Sequence, residues 1–389
     1  MNNIIENLRN NLKNREEFSV LMKIVKKINE KGGKTFLVGG MVRDAVMNIS
    51  SKDIDVEIHQ ITPSQLKEIL SKFGTVDEIG SQFGILKIKG IDIDFAMPRV
   101  EEKNGEGHKG FSVEINPFIS IEKACRRRDL TMGAIMVDLK DWTIIDPFGG
   151  INDINNKVIR HVDSKTFVED PLRVFRVAQF AARFNFKVEE STLKLMEKTD
   201  ISNISKERVF GEFEKAVKKG TVSIFFKVLK ETNKMDFFKE MKFIDTRMDN
   251  TKDIEEVLSI IVDNMNIEDA NKFLNRFVFS KKIIQNVVDI KKFIEMSTKE
   301  SERVIAHVSK GDKTFIKVGR ILNKIPTSFE EEFELAWEQV KSPIVSSKDL
   351  ISIGIKPGPE MGRLLKDCMD IQIQRGDVTK EEILKEVIF

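Results

Sequence analysis

The chain reads as an α+β protein: a nucleus of short strands and helices forming a head with a small mixed β-sheet, then a long all-α remainder. Three observations predict this. Short β-rich runs alternate with helical segments up to about residue 150, and from Pro171 onward nearly every segment repeats apolar residues at helical spacing. A length of 389 residues also calls for two or three domains at roughly 150 residues each. Hydrophobic residues at 41% and charged residues at 32% fit a folded globular chain. The 64 Lys+Arg against 62 Asp+Glu leave a net charge of +2, so composition gives no hint of a nucleic-acid partner. There is no tyrosine but there are 28 phenylalanines, which removes every phenol from the possible catalysts.

Residues 17–30 place apolar side chains at helical spacing and end at Gly32-Gly33, a helix with its stop signal. TFLVGG follows as a short buried strand, and KDIDVEIHQI as a strand of alternating polarity. TPSQLKEILSKFG is a helix with Thr62 as N-cap, Pro63 in the first turn and Gly74 as stop. ILKIKG and IDIDFAM supply two more strands, and boundaries fall near 150–165, 220 and 340–347. The first seventeen residues are polar and charged throughout, unlike a signal peptide, and no apolar run approaches the roughly 20 residues of a membrane span. Cys125 and Cys368 lack partner motifs, which disfavours a disulfide framework or a cysteine zinc site and fits a reducing cytoplasm. The four histidines form no HExxH pair.

Five constellations carry chemistry. LVGGMVRD is a strand running through Gly39-Gly40 into a helix, either a plain corner or a cradle for an anion, with Arg43 placed to clamp a phosphate. In Asp53-Ile54-Asp55 two carboxylates share one strand face while Ile54 and Val56 take the other. That is a solvated face or a site for Mg²⁺, which takes one or two protein carboxylates together with phosphate oxygens. Asp92 and Asp94 repeat the spacing, and a neighbouring strand would bring a third carboxylate, the usual requirement for two metal ions. CRRRDLT is a basic turn from which Arg128 could reach nucleotide phosphates or ribose.

The fifth is VEDPLRVFRVAQFAARF. Pro171 fits a first helical turn with Asp170 as N-cap, and Arg173, Arg176, Gln179 and Arg183 make one polar stripe. Beside the bland reading of cap and solvated face stands a sharper one. A carboxylate only accepts and a guanidinium only donates. Cytosine and adenine each offer an amino donor beside a ring-nitrogen acceptor, whereas guanine and uracil present the reverse order. Asp170 with Arg173 would therefore accept C and A and reject G and U.

In this order the motifs resemble the class II (bacterial-type) CCA-adding tRNA nucleotidyltransferase and poly(A) polymerase family: LVGGMVRD, KDIDVEI, IDIDFAMPR, GEGHKGF, RRRDLTMGA, IDPFGGINDINNKVIRHV, EDPLRVFRVAQFAARF and SKERVFGEF. The likeness is dense over about residues 35–215, and SSKDLISIGIKPGPEMGRLL extends it toward the C-terminus. The resemblance implies a nucleotidyltransferase head with an N-terminal helix at 1–150, a base-recognising neck at 151–220, a helical body at 221–285 and a tRNA-binding tail at 286–389. It implies Asp53, Asp55 and Asp94 as catalytic ligands of two Mg²⁺ ions, and Gly39, Gly40, Arg43 and Arg128 as triphosphate and ribose contacts. Asp170 and Arg173 become the base-reading pair, with Arg176 and Gln179 beside them and Glu207 and Arg208 bracing their helix. Arg99 to Gly110, with His108, corresponds to a mobile loop near the active site.

Two departures stand out: Gln179 where many relatives carry Arg, and Gly133 where Asn is usual. Longer relatives also carry a His-Asp phosphohydrolase domain, which the histidine count excludes here. The implied activity is stepwise addition of C, C and A to the 3′ end of tRNA from CTP and ATP. The acceptor stem and elbow would be held through Lys281-Lys282, Lys291-Lys292 and the stretch from Lys310 to Arg320, with no membrane. Spacing leaves open a poly(A) polymerase, a CC-only or A-only enzyme, and a non-catalytic RNA-binding paralogue. At IDPFGG, where relatives often have Tyr, this chain has Phe, which suggests a systematic Tyr-to-Phe change.

Overall fold

The structure is a computed structural model that describes residues 2–79, 84–103 and 111–388. It divides into two compact units, Met1–Asp236 and Phe237–Phe389. The fold is the expected α+β class, with its sheets confined to the first unit.

The first unit opens with α1 (Asn2–Leu12) and α2 (Glu16–Glu30). Although the N-terminal stretch reads as polar and charged, Ile4, Leu8 and Leu12 recur every four residues and bury one face of α1. Asn7 ties that helix down by donating to the Ala45 carbonyl at 3.1 Å. A seven-stranded sheet follows, built from β1 (Lys34–Leu37), β2 (Ile54–His59), β3 (Val76–Ile79), β4 (Ile85–Ile88), β5 (Ile93–Ala96), β8 (Met136–Asp138) and β9 (Ile144–Ile145), with β6 and β7 forming a separate hairpin. Its order is β3-β4-β5-β2-β1-β8-β9, and the β2–β5 pair is parallel among antiparallel neighbours.

β6 (Arg99–Lys103) and β7 (Phe111–Ile115) correct one expectation. Residues 99–103 are a strand rather than a loop, because hairpin pairing with β7 outweighs the weak β-propensity of a charged run. The rest of the expected loop, including His108, lies outside the described residues.

Between the strands run α3 (Gly40–Val46) and α4 (Pro63–Leu70), the latter closed by a capping box between Thr62 and Gln65 as its sequence predicts. Then come α5 (Ile121–Arg126), α6 (Gly150–Asn155), α7 (Ser164–Phe167), α8 (Leu172–Phe184), α9 (Glu190–Lys198), α10 (Lys206–Lys219) and α11 (Val222–Glu231). α8 packs against α10 and α11 and is the central helix of this half.

The second unit is helical among its described residues: α12 (Ile254–Val262), α13 (Ile267–Phe277), α14 (Lys281–Met296), α15 (Glu302–Ser309) and α16 (Thr314–Ile321). It continues through α17 (Phe329–Val340), α18 (Ser347–Ser352), α19 (Pro359–Arg375) and α20 (Lys380–Ile388). Phenylalanine rings fill its interior, with Phe315 edge-on to Phe293, Phe329 and Phe333 at 5.6–6.2 Å. Such sites have no place for an unpaired phenol hydroxyl. No helix among the described residues is long and apolar enough to cross a membrane.

Gly150, at the head of α6, faces backbone. A Cβ there would stand 2.2 Å from the Thr131 carbonyl oxygen and 2.9 Å from Ile135. Gly150→Ala should therefore cost about 2 kcal/mol or more, read as a lowered urea midpoint at unchanged m.

Candidate functional site

The site is built on β2. Its residues alternate, with Ile54, Val56 and Ile58 buried on one face and Asp53, Asp55, Glu57 and His59 on the other. Along that second face exposure falls steadily: Asp53 is exposed, Asp55 half-buried, and Glu57 and His59 are each 1% exposed. β5 lies alongside in parallel, and the register sets Asp55 directly beside Asp94. Asp92, which the spacing puts with Asp94, precedes β5 and is exposed.

Gly39 closes the other side. Its φ of +71° turns the chain from β1 into α3, and a Cβ there would stand 3.1 Å from Asp55 Oδ2. The Val38 N–H donates to the Asp55 carbonyl at 3.1 Å, locking strand and turn together. Burial, then the Asp94 and Asp53 carboxylates, push the Asp55 carboxyl above its ordinary value, with Arg128 and Lys87 opposing. Lys87, from β4, places its ammonium directly on Asp94. The donors are all hard carboxylate oxygens that already attract a cation, so the residues fit a divalent ion. Among the described residues no three such groups converge on one point as they stand.

Arg43, expected to clamp phosphate, is turned inward. It is 7% exposed, pairs with Asp44 at 2.6 Å, and lies over the rings of Phe180 and Phe184 at 5.3 and 5.1 Å. Gly40 lies next to it, with room for a Cβ 3.6 Å from Arg43 Nη2. Arg183 of α8 reaches the same Asp44 at 3.5 Å. Arg128 donates to Glu57 Oε2 at 3.0 Å, and its buried Nε finds no partner among the described residues.

Asp170 and Arg173 share one turn at the start of α8, where the Arg173 N–H donates to the Asp170 carbonyl at 3.0 Å. Their side chains are engaged elsewhere. The Asp170 carboxylate accepts from the Leu172 N–H at 3.1 Å and from Arg208 of α10 at 2.9 Å. This is a capping bond with Pro171 rather than Asp170 at the N-cap. Arg173 donates to the carbonyls of Thr166 at 2.8 Å and Arg127 at 2.7 Å. Arg176 pairs with Asp129, whose carboxyl stays below its ordinary value; burial opposes this, but the Arg176 charge and hydrogen bond outweigh it. Gln179 departs from the expected polar stripe: it is 3% exposed, on the face that α8 turns to its neighbours. Glu207 is exposed and Gly133 leaves a Cβ free to sit 3.8 Å from Asp129.

Sequence reasoning passed over Glu57, His59, Lys87 and Asp129. For Glu57 and His59 the signal was present, because they extend the period-two face of Asp53 and Asp55. Lys87 and Asp129 acquire their partners only through tertiary packing.

A sheet of this order with paired carboxylates against a Gly-Gly turn defines a nucleotidyltransferase head. Residues 35–160 match the poly A polymerase head domain, and residues 185–244 match the probable RNA and SrmB-binding site of polymerase A. The chain is 38% identical over 205 residues to the multifunctional CCA protein of Haemophilus ducreyi, covering 51% of this chain and 48% of that one. It spans about half the length of the curated relatives it matches. In fold it is similar to the Bacillus stearothermophilus CCA-adding enzyme in complex with CTP (TM-score 0.75, 21% identity, 96% and 97% of the two chains). It is likewise similar to the Thermotoga maritima CCA-adding enzyme complexed with tRNA (TM-score 0.70, 22% identity, 98% of each chain). Over these matched residues the chain is similar to the bacterial-type CCA-adding enzymes and poly(A) polymerases. The likeness to these nucleotidyltransferases implies dependence on a divalent metal.

Removing Arg176 would leave Asp129, largely shielded from solvent, without its hydrogen-bonded charged partner. Arg176→Gln should cost about 2 kcal/mol at neutral pH. A carboxyl held below its ordinary value stabilises the fold above that value and loses the contribution as pH falls through the lowered one. The deficit of the variant should therefore shrink in unfolding titrations taken below about pH 4.

Proposed function

We propose that the chain adds CCA to the 3′ end of tRNA from CTP and ATP without a nucleic-acid template, releasing pyrophosphate. The observation that carries this reading is the set of aligned carboxylates on β2 and β5 in the same compact unit as Asp170 and Arg173 of α8. The names of its relatives and fold neighbours support it, since these are CCA proteins and CCA-adding enzymes bound to tRNA or CTP.

In this reading Asp53, Asp55 and Asp94 hold two Mg²⁺ ions. When bound, these supply the positive charge that lets a 3′-hydroxyl act as nucleophile at an α-phosphate and that stabilises the departing pyrophosphate. Gly39 and Gly40 let the backbone approach the triphosphate, and Arg128 offers its unpartnered Nε to phosphate or ribose. Arg43, braced by Asp44, acts from beneath the turn. Asp170 and Arg173 read the base: an incoming C or A takes the place of Arg208 on Asp170 and meets the remaining N–H groups of Arg173, which stays on the Thr166 and Arg127 carbonyls, whereas G or U meets acceptor with acceptor and donor with donor. Arg176 and Gln179 support that helix from within.

The head covers residues 1–150, the neck 151–220, the body 221–285 and the tail 286–389. The last two would hold tRNA by shape and phosphates through Lys281-Lys282, Lys292 and the stretch from Lys310 to Arg320. Lys291 serves the fold instead, being 4% exposed and donating to the Asp263 carbonyl at 3.0 Å. Two buried free cysteines fit a reducing cytoplasm.

Purified protein should extend a tRNA that lacks CCA by three residues and stop, using labelled CTP and ATP but neither UTP nor GTP. An open-ended A tail would mark a poly(A) polymerase, and no incorporation would contradict the reading. Asp55→Ala should lower incorporation by about 10³-fold or more. Arg173→Ala should lose preference for CTP over UTP by about tenfold or more while still binding the metal.

A further inference from the structure

Glu57 stands two residues beyond Asp55 on the same face of β2, where the strand has passed from solvent into the interior. Its carboxylate is fully engaged. Oε1 lies 3.0 Å from His59 Nε2, and Oε2 accepts from Arg128 at 3.0 Å with Arg127 at 3.6 Å. Phe36 sits edge-on to the His59 ring at 5.2 Å and fixes it. Two partly exposed guanidinium groups are thus gathered on a buried carboxylate and imidazole, where desolvation makes ionic groups expensive and apolar side chains of similar size would serve stability as well. A purely structural role does not account for them.

What they hold is the segment Arg127-Arg128-Asp129, and that segment faces two ways. Its arginine side chains point to Glu57. Its other groups point to α8: the Arg127 carbonyl accepts from Arg173 at 2.7 Å, and the Asp129 carboxylate pairs with Arg176. The position of the Arg173 guanidinium is therefore set from β2, through Glu57 and the backbone of Arg127, rather than by α8 alone.

We infer that Glu57 is a positioning residue for nucleotide selection, anchoring Arg127 and Arg128 so that the Arg127 carbonyl presents Arg173 in the register needed to read a base. This rests on the proposed function and adds to it a connection between the carboxylate strand and the base-reading helix. In Glu57→Gln the neutral amide cannot balance two guanidinium groups, and with its carbonyl oxygen on Arg128 its NH₂ faces His59 Nε2, which must then turn from donor to acceptor. The segment then shifts and Arg173 with it.

The test is the ratio of kcat/KM for CTP to that for UTP on a tRNA lacking CCA, a quantity in which the fraction of folded enzyme cancels. Glu57→Gln should lower the ratio on the order of tenfold. His59→Gln, which frees one side of the carboxylate but keeps both arginines on it, should lower it less and in the same direction; it also serves if Glu57→Gln does not fold. A folded Glu57→Gln that loses rate equally on both nucleotides overturns the inference, as does an unchanged ratio in both variants. If the wild type adds C, C and A while the ratio stays put, only the inference falls. A wild type that adds nothing removes the functional reading and the inference with it.

Discussion

The arrangement of the first unit turns on like charges held side by side. Parallel pairing of β2 and β5 sets Asp55 beside Asp94 at the ordinary spacing of neighbouring strands, about 4.8 Å. Two carboxylates side by side repel, and the burial of Asp55 adds to the cost. A fold that keeps such a pair must bring cations to it. Here Lys87 covers Asp94, Arg128 and Arg127 balance the next carboxylate along the strand, and the outermost position, Asp53, is left to solvent. The Gly39 turn, which presses against Asp55, follows from the same constraint, since a side chain there would occupy the space beside the carboxylate.

The basic residues of the 125–131 segment acquire a second meaning in this light. Read along the chain, three consecutive arginines look like a surface turn. In the fold, Arg126 is exposed and pairs with Glu122 and Asp163, while the partly buried Arg127 and Arg128 turn inward to Glu57. One run thus supplies a surface clamp and an interior anchor. The net charge of +2 conceals this local sorting of acids onto one strand face and arginines around it.

Where chemistry is local, the sequence was legible. Thr62 caps α4 because its hydroxyl and the Gln65 side chain lie within one turn, and the two carboxylates of DID share a face because strands have a period of two. Where a partner is distant, it was not. The Arg127 carbonyl lies 46 positions from Arg173, so nothing near it announces that the guanidinium is occupied, and Arg208, 38 positions from Asp170, is named as a brace only through the family resemblance. Gln179 looked solvated because only one face of α8 was counted, whereas α10 and α11 cover more of it. The amphipathic character of α1 was hidden by its many asparagines, which outnumber the three buried apolar residues. The missing tyrosines are consistent with an interior in which Phe rings pack against one another and no hydroxyl requires a partner.

In the proposed function the β2–β5 carboxylates are kept close because a divalent cation would join them. Titrating metal-free protein with Mn²⁺ and following free ion by electron paramagnetic resonance tests this without substrate or turnover. Wild-type protein should take up Mn²⁺ in competition with Mg²⁺, and both Asp55→Asn and Asp94→Asn should lose that uptake while remaining folded. Equal Mn²⁺ binding by wild type and both variants would contradict it.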